Sequence, residues 1–299
     1  MLKVKNLTKS FGPIKAVRDV SFSASKGSIS IITGADGAGK STLFKMILGL
    51  IRKDSGEIYI EGTPILGNYS KVTCITGYMP ERFSLYPDLT VEENLDFFAD
   101  IQQVKSQRKN KLKHRLLERT GMLAFRKRRA GALSGGMKQK LALSTILLSS
   151  PEILILDEPT TGVDPLSRIE FFNIMEDLKK EGKTIIMATP YLDEAEKGDY
   201  IIFIKKGALI KKDSIKDIKH NFPAKMFRIL PIGNIFETVK ELSSRKEFEG
   251  DFYIRGRYIK CLCRGDSSFL SQIKAGEIRE EKPTLEDIYL FYERGFEDD

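Results

Sequence analysis

Ser28-Ile29-Ser30-Ile31-Ile32-Thr33-Gly34-Ala35-Asp36-Gly37-Ala38-Gly39-Lys40-Ser41-Thr42 is the stretch on which the fold turns. An apolar run of strand length passes directly into a loop with glycines at 34, 37 and 39. Leu43, Phe44, Ile47 and Leu48 then recur at the spacing of a helix that stops near Gly49. Strand, glycine loop and helix in that order set the segment apart from a chance glycine-rich turn. Glycine lets the backbone approach phosphate closely and take angles closed to other residues. The N–H groups of such a loop point inward, and the following helix N-terminus adds partial positive charge. Lys40 then reaches the β- and γ-phosphates of a nucleotide, and the Ser41 hydroxyl takes one position on Mg²⁺. Thr42 is placed beside the α-phosphate.

Working outward, strand and helix alternate again after Pro151. Glu152 to Asp157 and Lys183 to Ala188 are near-continuous apolar runs, the pattern of parallel strands covered on both faces. Ser167 to Lys180 between them reads as a helix. Asp157 closes a buried strand, so its carboxylate emerges at the C-terminal edge of the sheet. Phosphate-loop proteins place a second Mg²⁺-organising acid there. Glu158 follows and faces the other way, suited to orient and deprotonate an attacking water. A plain acidic pair ending a strand is the alternative.

Near the start, Leu2 to Leu7 and Val17 to Ala24 read as short strands, and residues 54 to 79 as further strands and turns. Thr90 to Ser150 has a helical pattern, led by Val91-Glu92-Glu93-Asn94-Leu95-Asp96-Phe97-Phe98. Beyond about Lys211 the character changes, with strands at Lys225 to Leu230 and Phe252 to Cys263 and a helix at Ile235 to Glu241. The expected fold is α/β: a phosphate-loop NTPase core with an antiparallel β edge and a helical insert, plus a small C-terminal α+β appendage. The expected boundaries are 1–210 for the core, with the insert at about 82–150, and 211–299 for the appendage.

Leu133-Ser134-Gly135-Gly136-Met137 precedes the acidic strand end, Ser134 standing 23 residues before Asp157. The phosphate loop, this segment and Ile153-Leu154-Ile155-Leu156-Asp157-Glu158-Pro159, in this order, resemble the nucleotide-binding subunits of ABC transporters. The resemblance covers roughly the first 210 residues. It implies ATP and Mg²⁺ as ligands, ATP hydrolysis, and a second ATP-binding cassette, identical or related, facing the first. Ser134, Gly135 and Gly136, opening a helix over Met137 to Leu148, would then face the γ-phosphate held by the other subunit. Taken alone they are an ordinary Ser N-cap. Asp164, in Thr161-Gly162-Val163-Asp164, matches the loop that crosses the dimer interface. Phe11, in Lys9-Ser10-Phe11-Gly12, sits where the family places an aromatic against adenine; packing in the core is the other reading. The implied nucleotide site is thus Phe11, Gly34, Ala35, Asp36, Gly37, Ala38, Gly39, Lys40, Ser41 and Thr42, completed by Ser134, Gly135, Gly136 and Asp164. Pro283-Thr284-Leu285-Glu286-Asp287-Ile288-Tyr289 is similar to the ending of ATPase subunits that serve ABC-2-type exporters. It also reads as a final amphipathic helix capped at Thr284. The implied membrane partner is an ABC-2-type transmembrane permease subunit.

Two departures stand out. The family's glutamine between core and insert falls at Glu81, in Tyr78-Met79-Pro80-Glu81-Arg82. A carboxylate can still meet Mg²⁺ but lacks the amide donor. The family's histidine after the Lys183 to Ala188 strand should follow Thr189, where Pro190 stands. Proline brings neither a side-chain donor nor a backbone N–H. Loss of one preorganised donor typically lowers a rate by about 10² to 10³. The expectation is a cassette that hydrolyses slowly or relies on a partner, with a regulatory switch as the competing class.

Composition sets the remaining bounds. Apolar residues make up 41% and charged residues 30%, and no apolar run approaches the length of a membrane span. Met1-Leu2-Lys3-Val4-Lys5 lacks the apolar stretch of a signal peptide. The expected location is the cytoplasmic face of a membrane, reached through a partner. Cys74, Cys261 and Cys263 form no disulfide or zinc pattern, and the last two would share one face of a strand. Much of the net charge of +8 sits between Lys105 and Arg129, which with leucines at 112, 116 and 117 reads as a helix with a solvated basic face. Such a face can also lie near lipid headgroups. Charge alone would support a soluble ABC protein acting on ribosomes or DNA, but the chain has neither a second cassette nor a long coiled coil, and no nucleic-acid partner is expected.

Overall fold

The structure, a computed structural model, describes residues 1–82, 85–245 and 248–294. It divides into two compact units, Met1–Lys212 and Asp213–Asp299. The first runs β1 (Leu2–Phe11), β2 (Ile14–Ala24), β3 (Ile29–Thr33), α1 (Lys40–Ile47), β4 (Ser55–Ile60), β5 (Thr63–Pro64), α2 (Ser70–Ile75) and β6 (Thr76–Met79). Three helices follow, α3 (Val91–Ile101), α4 (Ser106–Arg119) and α5 (Gly135–Leu147). The alternation then resumes with β7 (Ile153–Asp157), α6 (Pro165–Lys180), β8 (Thr184–Ala188), α7 (Leu192–Ala195), β9 (Tyr200–Lys205) and β10 (Ala208–Ser214).

The central sheet has the order β10-β9-β3-β8-β7-β6. β9, β3, β8, β7 and β6 run parallel. Every residue of β3, β7 and β8 is buried, which explains their uninterrupted apolar sequences. Their register sets Ala188 beside both Asp157 and Ile32. The chain therefore leaves three neighbouring strands at one edge, where α/β proteins bind ligands. A second, antiparallel sheet of order β2-β1-β4-β5 lies on one side. Val4, Val20, Phe22, Ile58 and Ile60 from that sheet share a core with Leu43 and Phe44 of α1 and with Ile153, Ile155, Ile186 and Ile202 of the central sheet.

The expected phosphate-loop α/β fold with an antiparallel edge and a helical insert is thus found, with local differences. Residues 70–75 form a helix where strands and turns were expected. The segment is only six residues long and carries Val72, Thr73 and Ile75, poor helix formers. It holds because Val72 is fully buried and the Thr73 hydroxyl donates back to Ser70 O at 3.0 Å. The basic segment is helical only over Ser106–Arg119; Arg126 to Arg129 lie outside it. Nor is its charge wholly solvated: Lys113 is buried and pairs with Asp96 at 2.7 Å. The helix holding Gly135 starts two residues earlier than expected, with Ser134 as its N-cap.

The second unit contains α8 (Ile215–His220), β11 (Lys225–Pro231), α9 (Ile235–Ser244), β12 (Gly250–Arg255), β13 (Tyr258–Cys263), β14 (Ala275–Glu281) and α10 (Leu285–Glu293). Its sheet has the order β12-β13-β11-β14 with antiparallel neighbours, a split β-α-β arrangement. The single strand expected over Phe252 to Cys263 is a hairpin instead. Gly256, at φ 61°, makes its two-residue turn with Arg257. β14 has no strand signal in its sequence, because Ala-Gly-Glu-Ile-Arg-Glu-Glu offers one large apolar residue and no alternation. Thr284 caps α10 as expected, and Asp287 completes a capping box with it. Asp287 also accepts from the Tyr253 hydroxyl and lies 3.3 Å from Lys260 Nζ. Cys261 and Cys263 are buried with their sulfurs 3.6 Å apart.

Candidate functional site

The loop between β3 and α1 is shaped by what presses on it. Gly39 has φ 104°, and a Cβ there would stand 2.2 Å from Ala16 O of β2. Only glycine fits. The Gly207 N–H donates to Ala38 O at 2.9 Å, so the Lys206–Gly207 turn after β9 holds the loop from the other side. Lys40 begins α1 and is 4% exposed. Its ammonium donates to Gly34 O at 2.8 Å and Ala35 O at 3.3 Å and lies 3.3 Å from Glu158 Oε1. Three donors thus have three partners, and the charge is fixed at the mouth of the loop.

A cavity of about 680 Å³ opens over this loop. Asp36 to Thr42, Glu81, Glu158 and Thr161 line it, as do Ile14, Lys15, Ala16 and Lys206. The first group was legible as motif. Lys15 and Lys206 were not, since only the fold brings a β2 residue and a hairpin turn to the phosphate loop.

Asp157, at the end of β7, is 1% exposed, and its Oδ1 is buried with no hydrogen-bond partner. Burial pushes its carboxyl above the usual range, and the charges of Glu158 and Glu81 add to this; the Ser41 hydroxyl and the Lys40 ammonium pull the other way. A buried carboxylate oxygen without a partner, beside a serine hydroxyl, fits a divalent cation. Among the described residues no three His, Cys, Asp or Glu side chains form a complete cage. That agrees with Mg²⁺, which is held by one or two protein groups and completed by substrate phosphates and water. Tyr78, next door on β6, has a buried hydroxyl with no partner. Burial first, then Asp157 and Glu81, push its pKa up to about 12.

Glu158 is the first residue beyond β7 and has φ 51°, the left-handed region that non-glycine residues avoid. Its N–H donates to Ala188 O at 3.0 Å, and its Oε2 accepts from the Thr161 hydroxyl at 3.4 Å. The turn aims the carboxylate at Lys40 and the cavity.

Ser134, Gly135, Gly136 and Asp164 do not line this cavity. Ser134 Oγ accepts from Met137 N at 3.3 Å as the α5 cap. A Cβ on Gly136 would stand 2.3 Å from Ser167 Oγ, so α5 and α6 start in close contact. Asp164 Oδ1 accepts from Ser167 N at 2.9 Å and caps α6, and that bond holds its carboxyl below the usual range. Phe11 also stands apart from the lining. It is 48% exposed, with Lys9 Nζ 5.3 Å above its ring, so it is not core packing. Pro190 follows β8, and no histidine is among the residues that line the cavity. His114 pairs with Glu118 on α4, and His220 ends α8 in the second unit.

The family description "ABC transporter" matches residues 17–161. The chain is 34% identical over 269 residues to the Escherichia coli probable multidrug ABC transporter ATP-binding protein YbhF, covering 88% of this chain and 46% of that one. It therefore spans less than half the length of that relative. It is 30% identical over 289 residues to the Nod factor export ATP-binding protein I of Bradyrhizobium diazoefficiens, covering 94% and 92%. Among solved structures, the dimeric ATP-binding cassette MJ0796 bound to ADP and Pi is 27% identical, with a TM-score of 0.64 over 72% of this chain and 99% of that one. Among the described residues no helix is long and apolar enough to cross a membrane.

Proposed function

We infer the work of this chain from its family, for it belongs to the ATP-binding proteins of ABC transporters. On that premise it is the ATP-binding and ATP-hydrolysing subunit of an ABC-2-type exporter, driven by closure of two cassettes on two Mg-ATP molecules. The observation that carries this reading is the convergence of Lys40 and Glu158, 3.3 Å apart, over the orphaned Oδ1 of Asp157.

In this mechanism the amides of residues 36–42 and the Lys40 ammonium hold the β- and γ-phosphates. Ser41 and Asp157 would hold Mg²⁺, with Glu81 at its margin, and the bound cation would spread the charge that develops on the phosphates. Glu158 takes a proton from water as the new O–P bond forms. The bond to the β-phosphate oxygen breaks, and ADP and phosphate leave. Phe11, exposed and beside Lys9, would offer a face to adenine. Ser134, Gly135 and Gly136 stand apart from the cavity of their own chain, which suits a role across the dimer, with Asp164 at the seam. The solved cassette MJ0796 is a dimer bound to ADP and Pi, which supports the pairing of two cassettes.

Closure has to reach a permease. A second cavity, of about 740 Å³, lies between core and insert and is lined by Tyr78, Phe98, Gln102, Arg108 and Ile146 among others. It is the place we assign to an ABC-2-type permease subunit, which would hold the chain at the cytoplasmic face of the membrane. Two of the relatives carry export or multidrug transport in their names, which supports the direction.

One observation favours a second reading. With Pro190 in place and no histidine lining the cavity, the chain would hydrolyse slowly and act as a regulatory cassette beside a partner ATPase. Mg-ATP turnover against protein concentration, with Glu158→Gln as blank, separates the two. Turnover above the blank that rises faster than linearly fits a self-associating motor; turnover equal to the blank with ATP still bound fits the switch.

A further inference from the structure

Glu194, on α7, is 1% exposed, a rare setting for a carboxylate. Its Oε2 accepts from Thr160 Oγ1 at 2.8 Å and from Thr189 Oγ1 at 2.5 Å. Thr160 stands two residues after Glu158, and Thr189 immediately precedes Pro190. One oxygen therefore stitches the segment of the catalytic acid to the segment where the histidine is missing. The other oxygen, Oε1, is buried without a hydrogen bond. Arg168 Nη1 stands 3.6 Å from it, just beyond hydrogen-bond length.

Arg168 is itself tied to two segments. Its Nε donates to Val163 O at 2.9 Å, and its guanidinium lies 4.3 Å from the centre of the Tyr191 ring. The loop holding Val163 and Asp164 thus has a direct handle on the arginine that faces Glu194.

We propose that Glu194 is a positioning residue that senses the Val163 loop through Arg168 and, through Thr160 and Thr189, sets the place of Glu158. The inference rests on the ATPase reading above, in which that loop meets the second cassette. Movement of Arg168 by about 0.5 Å completes the Nη1–Oε1 hydrogen bond. In a buried site a charge-assisted bond of this kind is strong, and it braces both threonine segments at once. Pro190 brings no donor of its own. The side-chain bridge between the Glu158 and Pro190 segments is this carboxylate.

The test is steady-state Mg-ATP turnover of the purified full chain as wild type, Glu194→Gln, Arg168→Gln and the double variant, with melting temperatures alongside. Glutamine keeps an acceptor for the threonines but removes the charge facing Arg168. We expect Glu194→Gln to lower kcat by about tenfold while KM for ATP stays within about twofold. The double variant should be no slower than Glu194→Gln, because Arg168 acts through it. A residue that merely holds the fold lowers the melting temperature and the active fraction but leaves kcat per bound nucleotide unchanged, and that result overturns the proposal. So do additive losses in the double variant. If wild type exceeds Glu158→Gln while Glu194→Gln is silent, only the role of Glu194 fails. If wild type equals Glu158→Gln, the hydrolysis reading fails and the role of Glu194 goes with it.

Discussion

Lys40 Nζ lies 3.3 Å from Glu158 Oε1, which joins the start of α1 to the turn after β7 across the mouth of the phosphate loop. A cation and a base with opposite duties thereby hold each other in place. Glu158→Gln keeps the shape and removes the base. We expect turnover to fall at least about 10²-fold while ATP binding persists. Gel filtration with Mg-ATP should then show a stable dimer; monomers alone would count against closure on ATP.

Asp157 is held in the fold at a cost. Its folded pKa is raised, so its stabilising contribution is present below the unfolded pKa and is lost as pH rises through the folded value. Above that value the ionised carboxylate stays buried with no hydrogen-bond partner for Oδ1. Asp157→Asn should therefore raise the melting temperature of the chain, without nucleotide or Mg²⁺, by about 2–4 °C, as expected for about 1 kcal/mol in a domain of this size. The same variant should lose the stabilisation that Mg-ATP gives wild type. Calorimetry with and without ligand checks both halves.

Tyr78 has the same sign at the other end of the scale. Its pKa rises from 10.0 to about 12, so the fold loses stability as pH climbs through that interval. An ultraviolet titration should show a late tyrosinate that is absent in Tyr78→Phe. A titration complete near pH 10 in the folded protein would refute it.

The motifs were legible because they are local. Lys40, Ser41, Asp157 and Glu158 stand in strings whose flanking strands are wholly buried and therefore written in unbroken apolar residues. The bridge from Thr160 and Thr189 to Glu194, and from there to Arg168, was not legible. Its members are separated by up to 34 residues and are brought together only by the parallel register of β7 and β8. The short α2 and the acidic β14 escaped for another reason: tertiary packing overrides their weak local preference. The i, i+2 spacing of Cys261 and Cys263 puts both on one strand face, and their sulfurs lie 3.6 Å apart.

Gly136→Ala tests the close start of α5 and α6. The new methyl meets Ser167 at 2.3 Å, so the variant should lose about 1–3 kcal/mol. That corresponds to a fall of roughly 2–10 °C in melting temperature. Adding Ser167→Gly should recover most of it. An unchanged melting temperature in the single variant would mean that the helices part easily.

Pro190→His returns the donor that the family resemblance implies. We expect turnover to rise by about tenfold or more if the missing group limits the rate. An unchanged rate, with the fold intact by circular dichroism, would mean that the reaction proceeds without a donor at this place.

The left-handed backbone of Glu158 has a last consequence, for descent rather than for mechanism. A glutamate there carries about 1 kcal/mol of strain that glycine would relieve and asparagine would lessen. The backbone and the reaction therefore ask for different residues at this position, and apart from the pairing with Lys40 only the reaction asks for glutamate. In any lineage that stopped hydrolysing ATP, only the pairing with Lys40 would hold it, and replacement by glycine or asparagine would relieve the strained backbone. Such a substitution in a relative would be a fossil of lost turnover, readable from the sequence before any assay.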